Sequence, residues 1–226
     1  MGRSAHDKTA HPAVSGDAHA YTAKEEIANS LTHGIGAALS IAGLVVLVVL
    51  AAQYGDAWRV VSFSIYGATL VMLFTASTLY HSFSRPRIRK VLRIIDHCSI
   101  YLLIAGSYTP FMLVIIRGSW GWSLFGVIWG LALLGILMKT LFIGRNRILS
   151  TLTFIFMGWL CVIALKEMIA HIEPGGMLLL AAGGLFYTLG AVFYIWKRLP
   201  YNHAVWHLFV LGGGICHYFS ILLYVL

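Results

Sequence analysis

Five polar residues in three separate apolar segments have the types and spacing of a metal centre. Ser77 and His81 are four residues apart, Asp96 opens the next segment, and His203 and His207 are again four apart. Residues i and i+4 of a helix share one face about 6 Å apart along the axis, so His203 and His207 can bind one ion. With His81 they form the three-ligand set of a catalytic zinc site, which leaves a fourth position to water. Neutral imidazole suits zinc better than calcium or magnesium.

Asp96 and Ser77 carry the acid–base chemistry in this hypothesis. Asp96 is placed to act on the water at the metal or to serve as an outer ligand. Ser77, one turn before His81, is placed to hydrogen-bond that water or a substrate oxygen. The alternative is a set of interfacial histidines that only hydrogen-bond the backbone or lipid headgroups. The common depth of the three segments favours the metal centre over that alternative.

The composition excludes several classes of protein. Of 226 residues, 59% are hydrophobic and 11% are charged, whereas a soluble domain has about 25% charged residues. A water-soluble enzyme, a disordered chain and a disulfide-rich secreted domain are therefore excluded. The cysteines, Cys98, Cys161 and Cys216, lie in apolar segments and are predicted to be free. The net charge of +8 comes from residues between the apolar segments, which indicates lipid headgroups as partners rather than nucleic acid.

Apolar segments of about 20 residues, each long enough to cross a bilayer as a helix, organise the chain. They predict an all-α, polytopic membrane protein with seven transmembrane helices in one domain, residues 23–226, after a disordered polar tail, residues 1–22. The predicted spans are 28–52, 60–83, 94–116, 122–142, 150–169, 176–196 and 204–225.

The basic residues predict the orientation. Of the sixteen Lys and Arg residues, all but Arg59, Arg117 and Lys166 fall on the side that carries the amino terminus. The positive-inside rule then puts the N-terminus in the cytoplasm and the C-terminus outside. We therefore expect a multi-pass protein of the cell membrane, with the polar residues of the proposed site near its cytoplasmic face.

A second polar stripe marks the start of the first span. Glu26, Asn29, Ser30 and His33 fall within one arc of a helix. We expect supporting or packing roles for them rather than direct ligation. Glu26 is predicted to pair with the basic loops, and His33 to face a cavity.

Three further positions carry expectations of their own. His217 lies ten residues beyond His207, about 15 Å deeper along the helix, so it is predicted to line the cavity or to hydrogen-bond within the bundle. His97 is expected to point away from the site, because it is adjacent to Asp96 on a helix. Pro110 is expected to kink the third span and to open space within the bundle.

Four long motifs resemble those of bacterial hemolysin III proteins, which lie within the wider progestin and adipoQ receptor family and are related to alkaline ceramidases. They are EEIANSLTHGIG (25–36), STLYH (77–81), DHCSIYLLIAGSYTPF (96–111) and PYNHAVWHLFVLGGGICHY (200–218). The resemblance runs from Glu25 to the C-terminus. It implies seven helices around one zinc. The family's S-x-x-x-H motif falls on Ser77 and His81, its Asp on Asp96, and its H-x-x-x-H motif on His203 and His207.

The ceramidase kinship implies a zinc-dependent hydrolase of a lipid amide or ester, with a lipid substrate or fatty acid in the bundle cavity. Two alternatives stay open. The first is a receptor-like, non-enzymatic sensor or regulator of membrane homeostasis, in which zinc only ties helices together. The second is a cytolytic haemolysin or pore, although the spans contain neither a polar path nor an amphipathic inserting segment. The substrate and the oligomeric state are left open by the sequence.

Overall fold

The computed structural model describes residues 21–141 and 147–226. Over these residues the secondary structure is helical, with short turns between the helices. The predictions for residues 1–20 of the tail and for Arg145 between the fourth and fifth spans lie outside this part of the chain.

Seven of the described helices are long and apolar enough to cross a membrane, which confirms the predicted all-α class and the number of spans. They are numbered here in chain order as span 1 (Ala23–Tyr54), span 2 (Ala57–Ser82), span 3 (Pro86–Ile115), span 4 (Ser119–Leu141), span 5 (Ile148–His171), span 6 (Pro174–Ile195) and span 7 (Asn202–Tyr224).

The largest boundary errors are at the starts of spans 1 and 3. Span 3 begins at Pro86 rather than at residue 94, because hydropathy assigns its basic first turns to a loop while a proline at the first helical position starts the helix. Span 1 begins at Ala23 rather than at residue 28. Thr22 and Glu25 form a capping box there, with the Glu25 carboxylate accepting the Thr22 N–H at 2.8 Å, so Thr22 belongs to the helix cap.

Spans 3 and 5 each contain an irregular turn. In span 3 the α-helix runs to Pro110, and a π-helical turn follows over Phe111–Ile115, where the sequence predicted a kink. Span 5 is interrupted by a 3-10 turn over Leu160–Ala164, where the sequence contains no proline that would have predicted it. The Tyr108 hydroxyl of span 3 stabilises this turn, since it accepts the Cys161 N–H at 2.8 Å and lies 2.9 Å from the Met157 carbonyl. Backbone groups freed inside a membrane need such partners.

Span 1 packs against both span 2 and span 7. A Cβ atom at Gly36 would lie 2.6 Å from the Phe74 ring, so a glycine is required where span 1 meets span 2. This close approach brings the polar stripe of span 1 against the last turns of span 2. The three cysteines are free, as predicted.

We expect Gly121→Ala to lower the stability of the bundle. A Cβ atom at Gly121 would collide with the carbonyl oxygens of Met112 and Ile116, and backbone cannot move aside as a side chain can. Overpacking of this kind costs about 1–3 kcal/mol. A Cβ atom at Gly126, in the same helix, would meet no atom of the described residues within 4 Å. Thermal melting in detergent should show a lower Tm for Gly121→Ala and an unchanged Tm for Gly126→Ala. Equal Tm values for the two variants would contradict the close packing described at Gly121.

Candidate metal centre

Three histidines meet at the end of the bundle where spans 1 and 7 begin. His81 comes from the last turn of span 2, and His203 and His207 from the first turns of span 7. One nitrogen of each lies within 4.8 Å of the others. The ring centroids are 4.9 Å apart for His81 and His203, 5.1 Å for His81 and His207, and 4.5 Å for His203 and His207. The structure thus brings the three predicted ligands together in what we term the three-histidine group.

Glu26 of span 1 orients His81. Its Oε2 atom lies 2.6 Å from His81 Nδ1, and its Oε1 atom accepts a hydrogen bond from Arg89. A carboxylate at Nδ1 holds the proton there and leaves the lone pair on Nε2. That Nε2 atom is buried and has no hydrogen-bond partner among the described residues. Because such an atom is costly to bury, it fits a ligand to a metal ion.

The backbone of span 1 orients His207 in the same way. His207 Nδ1 donates to the Asn29 carbonyl oxygen at 3.0 Å and lies 3.2 Å from the Thr32 hydroxyl. The proton is therefore on Nδ1, and Nε2 is the atom available to a metal. Two of the three histidines thus have the tautomer that a shared ion requires, which is an arrangement of nitrogen donors suited to zinc.

His33 adds a fourth buried imidazole beside this group. Its ring stacks on His207, with centroids 3.5 Å apart and an interplanar angle of 12°. It lies outside the set of nitrogens that converge within 4.8 Å. It lines the adjacent cavity, as the sequence predicted, and supports His207 by packing.

Ser77 and Asp96 lie together beside the histidines. Both are buried, and their side chains are close enough to interact. They share one cavity with His203 and His207. The two residues predicted to act in catalysis are thus adjacent to each other and face the same space as two of the predicted ligands.

The expectation for His97 was wrong. Its Nδ1 bonds the Arg93 carbonyl at 2.6 Å, yet the side chain lines the same cavity as Asp96. Adjacent residues on a helix differ by about 100°, and the cavity wraps around enough of span 3 to include both directions.

The cavity extends from the three-histidine group into the bundle, and the empty space within it and its open mouth is about 1100 Å³. A second cavity of about 690 Å³ has Ser107, Tyr108 and His217 in common with it. Away from the polar group the walls are formed largely by aliphatic and aromatic side chains. His217 lies in both cavities, with Nε2 3.4 Å from the Leu180 carbonyl, so it is a cavity residue, as predicted, and not a ligand.

Two residues that contact the three-histidine group were not identified from the sequence. Tyr21 was assigned to the tail, but its ring lies 5.2 Å from that of His203. The capping box at Thr22 and Glu25 was the signal that ordered structure starts this early. Thr32 was also overlooked, because a threonine at that position carries no signal of contact with span 7.

The fold and site define a class: a seven-span helical protein with a buried three-histidine group at one end of an internal cavity. Residues 21–218 match the sequence model of the family described as Haemolysin-III related, and the chain belongs to that family. It is 50% identical to hemolysin-3 of Bacillus cereus over 203 residues, which cover 90% of this chain and 93% of the relative.

Two further relatives extend the comparison. The hemolysin-3 homolog of Bacillus subtilis is 48% identical over 204 residues, covering 90% of this chain and 96% of that protein. The human monocyte to macrophage differentiation factor is 30% identical over 223 residues, covering 95% and 90%. The predicted resemblance to hemolysin III proteins is confirmed, and the human match agrees with the wider progestin and adipoQ receptor family.

Replacing Glu26 should lower the affinity of the three-histidine group for added zinc without removing one of its histidines. In Glu26→Gln the side chain keeps its shape but no longer holds the proton of His81 on Nδ1 as a carboxylate does. Loss of such a partner lowers metal affinity about 10–100-fold. Competition titration with a zinc-binding dye measures the change. Glu173→Gln, in the exposed turn between spans 5 and 6, is the control, and an equal Kd for both variants would contradict the role of Glu26.

Proposed function

We propose that this chain is a zinc-dependent hydrolase of a lipid amide or ester in the cell membrane. One observation carries the proposal: three histidine nitrogens within 4.8 Å of one another lie beside a buried Ser77–Asp96 pair at the end of a largely apolar cavity. The basic loops support an orientation with this end of the bundle in the cytoplasm.

His81, His203 and His207 would hold the zinc. The fit rests on the tautomers that Glu26 and the Asn29 carbonyl impose, and on the unpartnered Nε2 atom of His81. When bound, zinc supplies Lewis-acid chemistry that polarises a carbonyl and makes water a better nucleophile near neutral pH.

Asp96 is the proposed general base and acid. It takes a proton from the attacking water as a new C–O bond forms at the carbonyl carbon. It then returns that proton to the amine or alcohol as the C–N or C–O bond breaks. The Ser77 hydroxyl is close to the Asp96 carboxylate at the wall of the same cavity, so its proposed role is to donate a hydrogen bond that orients the base.

The cavity is proposed to hold the acyl chain of the substrate. Its walls are mostly apolar with a few polar groups at one end, as is usual for ligand sites. Leu73, Ile100 and Phe154 are among its apolar walls. Each methylene buried there contributes about 0.8 kcal/mol, which anchors the chain while the carbonyl lies at the polar end.

A non-enzymatic sensor is the second candidate, and one observation favours it. Span 1 contacts His81 through Glu26 and His207 through Asn29, so a bound metal would join spans 1, 2 and 7. Such a protein would need the same metal but no turnover. The name hemolysin-3 belongs to the relatives, and a lytic pore would be supported instead by zinc-independent conductance in liposomes.

The purified protein should contain about one zinc per chain, as expected for a three-ligand site. Residues 2–20 are removed first, together with any affinity tag, because His6, His11 and His19 can bind stray metal. Mass spectrometry then measures the metal content. His81→Ala and the double variant His203→Ala/His207→Ala should each lose the zinc. A folded wild-type protein without metal would remove the basis of the proposal.

Asp96→Asn should abolish hydrolysis while zinc stays bound. The amide cannot accept the proton, and loss of a general base costs about 10²–10⁴-fold in rate. Release of fatty acid from a panel of ceramides and lipid esters in detergent measures the activity. Asp56→Asn is the matched control, since Asp56 caps span 2 at the opposite end of the bundle. Full activity in Asp96→Asn would overturn the assigned role, and no turnover in wild-type, zinc-loaded protein would favour the sensor.

A further inference from the structure

Tyr21 covers one side of the three-histidine group although it precedes the first helix. Its ring centroid lies 5.2 Å from that of His203 and 6.4 Å from that of His81. The chain reaches this point just before Thr22, where span 1 begins, and span 7 begins at the same end of the bundle. The aromatic ring therefore lies over the end of the group that faces the membrane surface.

Lys197, in the loop between spans 6 and 7, holds Tyr21 in place. Its Nζ atom donates to the Tyr21 hydroxyl at 3.1 Å. The same atom lies 5.4 Å from the ring centroid of Tyr21 and 5.2 Å from that of Tyr194. Tyr194 in turn lies 5.8 Å from His203. Lys197 thus links the hydroxyl end of Tyr21 to the ring of Tyr194, and both tyrosine rings lie against the imidazole of His203.

A second tie fixes the same short segment to the start of span 7. Glu25 Oε1 accepts the Tyr201 N–H at 3.2 Å, while Glu25 Oε2 completes the capping box with Thr22. Tyr201 has a left-handed backbone, with φ 56° and ψ 21°. Residues other than glycine adopt this region only where their surroundings impose it. The contacts of Tyr21–Glu25 therefore also position the turn that leads into His203.

We propose that Tyr21, Lys197 and Tyr194 form a lid over the three-histidine group. The lid screens the imidazoles from bulk water and sets the rate at which ions and small polar molecules reach them from the membrane surface. The side-chain hydrogen bond from Lys197 to Tyr21 is of a kind that is individually weak. Opening of the lid requires the side chains of Tyr21 and Lys197 to move, and not the packed helices beneath them. The access role is independent of the proposed hydrolase and of the metal, whereas the effect on metal exchange rests on the metal site of the proposed function.

The first test uses the full chain without metal, so it does not depend on zinc. Diethyl pyrocarbonate acylates accessible imidazoles, and peptide mass spectrometry follows the rate at His203. In Tyr21→Ala this rate should rise roughly tenfold, because the ring that lies against His203 is removed together with the hydrogen bond that it receives from Lys197. Tyr54→Ala is the control, since Tyr54 is an exposed tyrosine at the other end of span 1. A rate in Tyr21→Ala equal to that of the control would overturn the lid.

The second test loads the protein with Co²⁺ and measures the first-order loss of its absorption after a chelator is added. Tyr21→Ala and Lys197→Met should both release the ion faster than wild type. Tyr21→Phe should fall between them and wild type, because the ring stays while the hydroxyl acceptor is lost. Unchanged release from all three variants would contradict the lid even where the metal site stands. A wild-type protein that binds no Co²⁺ would contradict the proposed metal site. The acylation rate at His203 would still show whether Tyr21 covers that residue.

Discussion

The contact between Glu26 and His81 is the interaction on which the rest of the site depends. A carboxylate and an imidazole inside an apolar bundle are costly unless each has a partner. The Glu26 carboxylate meets this requirement because one oxygen accepts a hydrogen bond from His81 and the other accepts one from Arg89. The pair can form only where spans 1 and 2 approach closely, and Gly36 permits that approach. One electrostatic requirement thus accounts for a packing feature and for the tautomer of a proposed ligand.

The spans of the bundle fall into two groups, those that hold the three-histidine group and those that border the cavities. Spans 1, 2 and 7 carry or orient the three-histidine group, and regular helices give it a defined geometry. Spans 3 and 5 border the cavities and contain the π-helical and 3-10 turns. Irregular backbone at membrane depth is tolerated where protein or a cavity surrounds it, and here Tyr108 satisfies part of it. The regular helices suit the positioning of the three histidines, and the irregular turns border the space in which the proposed function places an acyl chain.

Membership of the haemolysin-III related family and the geometry of the site are independent observations on this chain. The family match extends over residues 21–218, so the segment that begins with Tyr21 belongs to the matched region and not to the tail. The hydrolase and the sensor share the same ligands and differ in what Asp96 does. In the hydrolase its carboxylate exchanges a proton with substrate and water, whereas in the sensor it is one more buried polar group of the framework.

The sequence by itself determined the properties that lie along single helices. Apolar length predicted seven spans, and the i, i+4 spacing placed His203 and His207 on one face of span 7. The sequence also predicted that Glu26 would pair with the basic loops and that His33 would face a cavity. For His217 it predicted a place in the cavity wall or a hydrogen bond within the bundle. The tertiary structure alone decided that Glu26 and Asn29 orient His81 and His207, that His97 faces the cavity, that Tyr108 supports a turn in span 5, and that Tyr21 covers His203. The periodicity of a sequence reports the face of one helix, whereas the rotation and depth of helices relative to one another are set by packing between them.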